Sequence, residues 1–335
     1  METKKWYKAN EKISELNTLR TKGYLKGFSV GWGFDSLPIT IKSGCTTYVA
    51  GAPHDGKTEF WFEILINLSV EHNLRHCIFS PETGTIEDII SELCFKYIGK
   101  PYIKTQNNAM SEAERIAAEM FIDEYFYIID PLDDTMTAND FYNLVDEIEI
   151  KEGKRIHTTL IDPFNELSHD FSKDEGRQDL YIERILGDVR KNARKTNRHN
   201  CVITHVRDQA PVTTNNVTFF PMATAREIAG GQAWFRKGLL MIIIWRPPLG
   251  VNDEFGIAYQ KNEVKIKVVK SKPKGVSING IYTMFYDVIK NAYYLRGNQY
   301  SKRHKKLIRE EQAELKINVP APVNWFENEK EETFE

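Results

Sequence analysis

The chain has 335 residues, of which 41% are hydrophobic and 27% charged, with a formal net charge of −2. These values fit one large α/β domain with additions, or two small domains, and exclude collagen-like and charge-driven disordered classes. A net charge so near zero also excludes a global pull toward nucleic acid or membrane, so any polyanion site must be a local patch.

The N-terminus "METKKWYKANEK" lacks the apolar core of a signal peptide. Residues 1–30 are expected to form a linker or docking region, with a short amphipathic helix in "NEKISELNTLRT". Strands are then predicted at 46–51, 76–80, 125–130, 158–162, 201–206, 239–245 and 264–270, several of them near-continuous apolar runs. Helices are predicted between them at 57–72, 85–98, 111–121, 137–152 and 178–196. Such alternation implies βαβ crossovers and a mostly parallel sheet. The strands within 239–295 follow one another without helices, which implies an antiparallel extension at one edge. Residues 297–335 run from the basic "SKRHKKLIRE" to the acidic "ENEKEETFE" and are expected to be a flexible tail. The longest apolar run, 238–245, is too short to span a bilayer, so the expected location is the cytoplasm, with no membrane partner. Cys45, Cys77, Cys94 and Cys201 include no CxxC pair, and three lie in apolar contexts. Buried thiols are expected, with neither a disulfide framework nor a zinc site.

The stretch "GAPHDGKT" matches G-x-x-x-x-G-K-[ST], with Gly51, Gly56, Lys57 and Thr58 in the required places. Glycines let a backbone wrap a phosphate chain without a Cβ in the way, and the following helix turns its positive N-terminal end toward the anion. Its position between a predicted strand and a predicted helix supplies the confirming context. Gly51, Ala52, Pro53, His54, Asp55, Gly56, Lys57, Thr58 and Glu59 are therefore the expected nucleotide-binding residues. Lys57 is expected on the β/γ oxygens of ATP or another NTP, and the Thr58 hydroxyl on Mg²⁺. In "TTLIDPFNEL" four β-formers run into Asp162, the expected second metal ligand, although Asp-Pro also starts ordinary turns. "CIFSPET" places Glu82 near the γ-phosphate if strand 76–80 lies beside the P-loop strand; position alone leaves a solvated turn glutamate equally open.

Together these motifs resemble the hexameric replicative helicases of the DnaB type, and within them the Twinkle and phage helicase–primase branch. The resemblance runs over about residues 26–296, from "GFSVGWGFDSLPITIKSGCTTYVAGAPHDGKTEF" through "FSPET" and "LIDPFNEL" to "VITHVRD". It implies a RecA-like P-loop NTPase core over 31–296, a homo-oligomeric hexameric ring threading single-stranded DNA, and ATP-dependent helicase activity. Primase, polymerase or single-strand-binding protein are the further partners it implies. It gives Glu82 the water-activating role, Asp162 the metal role and His205 that of a γ-phosphate sensor. "AREIAGGQAWFRKGLLMIIIWR" resembles the family's DNA-contacting loop and arginine-finger strand. That likeness implies DNA contacts at Arg226, Gly230, Gly231 and Gln232, with Arg207 in the preceding loop. Arg246 is expected to be a finger supplied to the next subunit, beyond reach of its own P-loop; a surface arginine ending a strand is the bland alternative. "VVKSKPKG" departs from the family's K-x-R-x-x-G, because Lys272 stands where arginine is usual, so Lys270 and Lys272 are expected only to assist. Lys191, Arg194, Lys195 and Arg198 read better as a solvated helix face than as DNA contacts. The tail 323–335 reads as either a solvated terminus or a docking peptide. Two other classes stay open: a RecA-like recombination ATPase, and a nucleotide-switched loader without strong turnover.

Overall fold

The computed structural model describes residues 6–24, 26–130, 132, 134–207, 209–228 and 230–317. The tail segment 323–335 lies outside them. A short 3₁₀ turn (Ala9–Lys12) leads into α1 (Ile13–Lys22), which buries none of its residues. A small antiparallel ribbon (β1 Phe28–Ser29, β2 Thr40–Ile41) precedes the core.

The P-loop strand β3 (Thr46–Gly51) is buried at every position, and α2 (Lys57–His72) follows it. Then come β4 (His76–Phe79), α3 (Ile86–Ile98), α4 (Glu112–Tyr125), β5 (Phe126–Ile128), α5 (Ala138–Glu152) and β6 (Thr158–Ile161). Next are α6 (Gln178–Thr196), β7 (His199–His205), a hairpin of β8 (Val212–Thr214) and β9 (Val217–Phe219), α7 (Gly231–Lys237) and β10 (Leu240–Trp245). Strands β11 (Glu263–Ser271), β12 (Gly280–Asp287), β13 (Ala292–Leu295) and β14 (Gln299–Tyr300) and helix α8 (Lys302–Ile317) complete the described chain.

The ten-stranded sheet has the order β14-β13-β12-β11-β10-β3-β7-β6-β4-β5. All pairs from β10 to β5 are parallel, and those from β14 to β10 antiparallel. The expected architecture is thus present: a parallel centre covered on both faces and an antiparallel extension at one edge. One core layer lies between the sheet and α2, α3 and α4; a second lies against α5, α6 and α7. Helix α2 is buried on most of its surface, because sheet and helices enclose it; Phe60, Trp61, Phe62, Ile64 and Leu65 are all buried, as are polar Glu63 and Asn67. Burial of each such side chain contributes roughly 1.5–3 kcal/mol. Thr85, Ser111 and Thr137 cap α3, α4 and α5 with reciprocal side-chain bonds, which fixes where these helices begin.

Two expectations about the periphery are corrected. The basic stretch after residue 297 is not a free tail: β14 and α8 occupy it, and Arg303 and His304 are buried. Arg198 is no solvated helix residue either, since it is 1% exposed and paired with Asp146 and Glu149. Lys191 keeps the solvated reading, on the surface beside Asp188. All four cysteines are free and buried. Among the described residues, no helix is long and apolar enough to cross a membrane.

Candidate nucleotide site

Parallel β-strands with helical crossovers present their C-terminal ends along one edge, and the loops there form the ligand crevice. Here β3, β7, β6 and β4 end in Gly51, His205, Ile161 and Phe79, each at or just before a residue singled out by sequence. Register places Gly51 directly beside His205. A cleft of about 630 Å³ opens at this edge, lined among others by His54, Lys57, Thr58, Glu82, Glu92 and Arg246.

The P-loop is braced by its own side chains and by the end of β10. Asp55 accepts from the Ala52 amide at 2.8 Å and from the Arg246 amide at 3.1 Å, tying the loop to itself and to the end of β10. The first glycine is needed for close approach, because a Cβ on Gly51 would lie 2.5 Å from the Ile244 carbonyl oxygen. Gly56 needs its freedom twice: its φ is +85°, and a Cβ there would meet the Tyr293 hydroxyl at 2.6 Å. His54 and Pro53 are exposed at the loop tip. Lys57 is buried and donates to the Ala52 carbonyl at 2.8 Å. Burial lowers its pKa, and the nearby carboxylates of Asp162, Glu82 and Asp55 oppose that shift.

Asp162 is fully buried at the end of β6. Its Oδ2 accepts from the Ser80 hydroxyl at 3.4 Å, while Oδ1 has no partner. Burial raises its pKa to about 6 against the hydrogen bond from Thr58, with Glu82 adding to the rise. A buried carboxylate oxygen without a partner, beside a hydroxyl and across from a P-loop, is a hard-oxygen donor set that suits Mg²⁺. The residues present fit that ion.

Glu82 reaches the cleft by a different route from the one expected. Strand β4 is not beside β3: β7 and β6 lie between them. The carboxylate is carried forward by the 3₁₀ turn Pro81–Thr83, and His205 meets it, Nε2 to Oε2 at 3.0 Å. That contact is the first cause of Glu82's lowered pKa. The ionised carboxylate only accepts, so Nε2 carries the hydrogen. His205 Nδ1 is buried without a partner. Sequence reasoning named both residues and missed that they touch.

The largest correction concerns Arg246. Strand β10 runs parallel to β3, with Ile243 opposite Ala50, so its C-terminal end emerges at the same edge as its own P-loop. A Cβ on Gly56 would lie 2.8 Å from Arg246 Nη2, and the guanidinium sits 5.2 Å over the Tyr286 ring. Arg246 is therefore within reach of its own P-loop. Lys270 and Lys272 lie at the other end of the sheet. Strand β11 is antiparallel, and Ser271 pairs with Leu240, the start of six-residue β10. That is about 20 Å of strand from the P-loop. Lys270 caps α7 by donating to the Phe235 and Arg236 carbonyls, and burial followed by the Lys272 and Arg190 charges lowers its pKa. Lys272 is exposed. Glu59 also lines the cleft, and its Oε2 is 2.6 Å from buried Lys96.

The expected DNA-contacting residues gather in one loop cluster. The Arg207 amide donates to the Glu227 carbonyl at 2.7 Å, and Val206 bridges to Ile228. Arg207, Arg226 and Gln232 are exposed there. Gly230 and Gly231 serve the turn: a Cβ on Gly230 would meet Ile182, and one on Gly231 would press the Ala225 and Arg226 carbonyls at 2.9 Å.

No family model matches the chain. It is 26% identical over 192 residues to the Twinkle homolog protein, chloroplastic/mitochondrial, of Arabidopsis thaliana; this is 56% of the chain and 26% of that protein. The chain thus matches about a quarter of the length of that curated relative. Its fold is similar to a solved structure described as an ATPase domain (TM-score 0.63, 17% identity, 86% of this chain and 98% of that one). It is equally similar to a DnaB-like replicative helicase studied for its interactions with primase (TM-score 0.63, 17% identity, 87% of this chain and 67% of that one). The fold is that of RecA-like helicase ATPase domains, and the resemblance to the DnaB type, with a Twinkle homologue among its relatives, holds.

Proposed function

We propose that the chain is an ATP-dependent DNA helicase domain that works on single-stranded DNA as a homo-oligomeric ring in the cytoplasm. The observation that carries this reading is that Lys57, Thr58 and Glu82 line one cleft, with buried Asp162 bonded to Thr58 and His205 bonded to Glu82. Lys57 neutralises the β/γ oxygens, while Thr58 and Asp162 hold Mg²⁺ through their side-chain oxygens. When bound, the ion draws charge from the phosphates during transfer. Glu82, kept ionised by His205, orients the attacking water and takes its proton. His205 links that base to the strand beside the P-loop, so loss of the γ-phosphate would be felt at Gly51 and His205 together.

Strand polarity separates the basic residues. Arg246 acts on nucleotide in its own subunit, and Lys272, far from its own P-loop and exposed, is the cation offered to the neighbour. Helix α1, with Ile13, Leu16 and Leu19 exposed, docks on the adjacent subunit. Arg207, Arg226 and Gln232 contact the DNA backbone, and this binding weakens steeply with salt.

The test is hydrolysis of ATP with Mg²⁺, with and without single-stranded DNA, alongside strand displacement on a forked duplex and electron microscopy. DNA-stimulated turnover, strand separation and closed rings are expected. Filaments with strand exchange would favour a recombination ATPase, and binding without turnover would favour a nucleotide-switched accessory protein.

A further inference from the structure

The cleft has two helical walls. One is the N-terminal turn of α2, bearing Lys57 and Thr58; the other is α3, reached through the turn that carries Glu82. Two helices meeting at an angle can open or close, and the spacing of Glu82 from Lys57 follows that angle. The C-terminal end of α3 and the middle of α2 are held by one residue, 207 positions beyond Lys96 in sequence. Arg303, near the start of α8, is 5% exposed. Its Nη1 donates to the Lys96 carbonyl at 2.6 Å and the Tyr97 carbonyl at 2.7 Å, satisfying the C-terminal end of α3. Its Nε donates to Asn67 Oδ1 at 3.2 Å, and Nη2 lies 3.8 Å from Glu63 Oε1, both on α2. Nearer the cleft, Lys96 of α3 pairs with Glu59 of α2 at 2.6 Å and donates to Asn291 Oδ1 at 2.6 Å. The cations bridge the same two helices in series. A planar guanidinium can bridge two elements at once where a lysine ammonium serves as a single point charge.

We propose that Arg303 is a positioning residue for the nucleotide site: it pins α3 to α2, and α8 is thereby the handle through which the C-terminal segment sets the spacing of Glu82 from Lys57. This rests on the hydrolytic reading of the cleft. Glu63 adds a second tie, since its Oε2 accepts from the Tyr293 amide at 2.6 Å and the Tyr293 hydroxyl donates to the Gly56 carbonyl at 3.0 Å. Arg303 thus holds α3 directly and the P-loop glycine only at two removes, through Glu63 and Tyr293.

The experiment compares Arg303→Lys and Arg303→Met in the full chain, with Lys305→Ala, an exposed residue on the same turn of α8, as control. Three readouts are taken below each protein's melting temperature: ATP turnover, affinity for a fluorescent ADP analogue, and hydrogen exchange over residues 81–98 relative to 46–51. The expected result is a kcat lower by about 10- to 100-fold, the scale of a misplacement near 1 Å. Nucleotide affinity should stay within about three-fold, because P-loop contacts remain, and exchange should rise over 81–98 but not over 46–51. Arg303→Lys should be the milder variant, which keeps the test open if Arg303→Met does not fold. Folded variants with wild-type kcat and wild-type exchange over 81–98 would overturn the proposal, as would a uniform rise in exchange over both segments. If the unmodified protein hydrolyses nothing, the hydrolytic reading fails, and exchange over 81–98 alone then decides whether Arg303 pins the walls.

Discussion

In the parallel half of the sheet, β3, β7, β6 and β4 all direct their C-terminal ends at the cleft; in the antiparallel half the ends alternate. Arg246 after β10, Tyr286 near the end of β12 and Tyr293 near the start of β13 therefore come to the P-loop, while Lys270 and Lys272 at the end of β11 are carried away from it. A motif read along the chain gives each basic residue a similar claim to the phosphates. Strand direction divides them into residues beside their own P-loop and residues remote from it.

Removing the parallel half's chemistry should have the largest effect. Lys57→Ala is expected to reduce ATP hydrolysis by at least about 10²-fold, the scale of losing a preorganised charge donor, and to weaken nucleotide binding. Near-normal turnover in a steady-state assay would sink the P-loop assignment. Glu82→Gln should keep nucleotide affinity and lose turnover by roughly 10²-fold; equal losses of binding and turnover would show that Glu82 holds the ligand and does not serve the water.

The division between the halves is sharpened by mixing variants. Lys272→Ala should assemble and hydrolyse poorly, and added Lys57→Ala subunits should restore part of the activity, because some interfaces then join an intact P-loop to an intact Lys272. Arg246→Ala should lose about ten-fold in nucleotide affinity, on the scale of one charge-assisted contact. Mixing with Lys57→Ala should not restore it, since no subunit then carries both groups. Recovery for Arg246→Ala without recovery for Lys272→Ala would reverse the assignment.

The smallest effect concerns the seam between the halves, where Glu63 of α2 accepts from the backbone of β13. Burial raises its pKa from 4.5 to about 7. A carboxyl with a raised folded-state pKa favours folding while protonated. Its contribution is complete below about pH 4.5 and is lost as pH rises through about 7, a change on the order of 3 kcal/mol. Melting temperatures between pH 5 and 8 should therefore fall less steeply for Glu63→Gln than for the unmodified protein. An identical slope would mean that Glu63 is ionised throughout.

The elements themselves were legible because their signals are local. Helices 57–72 and 178–196 and strand 46–51 stand where periodicity places them. That the P-loop and Asp162 stand at strand ends was legible for the same reason, each being a short string, whereas position alone left Glu82 open. Sheet order is not local: nothing in "HCIFS" says that two strands separate it from the P-loop strand. Nor does "LLMIIIW" reveal that it runs parallel to β3 and so brings Arg246 home. "SKRHKK" reads as solvated because its average is basic, yet Arg303 is internal, held by carbonyls at Lys96 and Tyr97 from a distant part of the chain.

The central place of β3 bears on how the protein comes off the ribosome. Its two neighbours in the sheet are β7, at 199–205, and β10, at 240–245. Until those segments emerge, a strand made before both of them has neither neighbour to pair with, and long-range parallel pairing is slow once they do. Nascent chains that end before residue 245 therefore carry an incompletely paired P-loop strand and an incompletely covered α2, the surfaces on which chaperones act and aggregates begin. The P-loop strand is thus translated before both of its sheet partners and is fully paired only after the second has emerged.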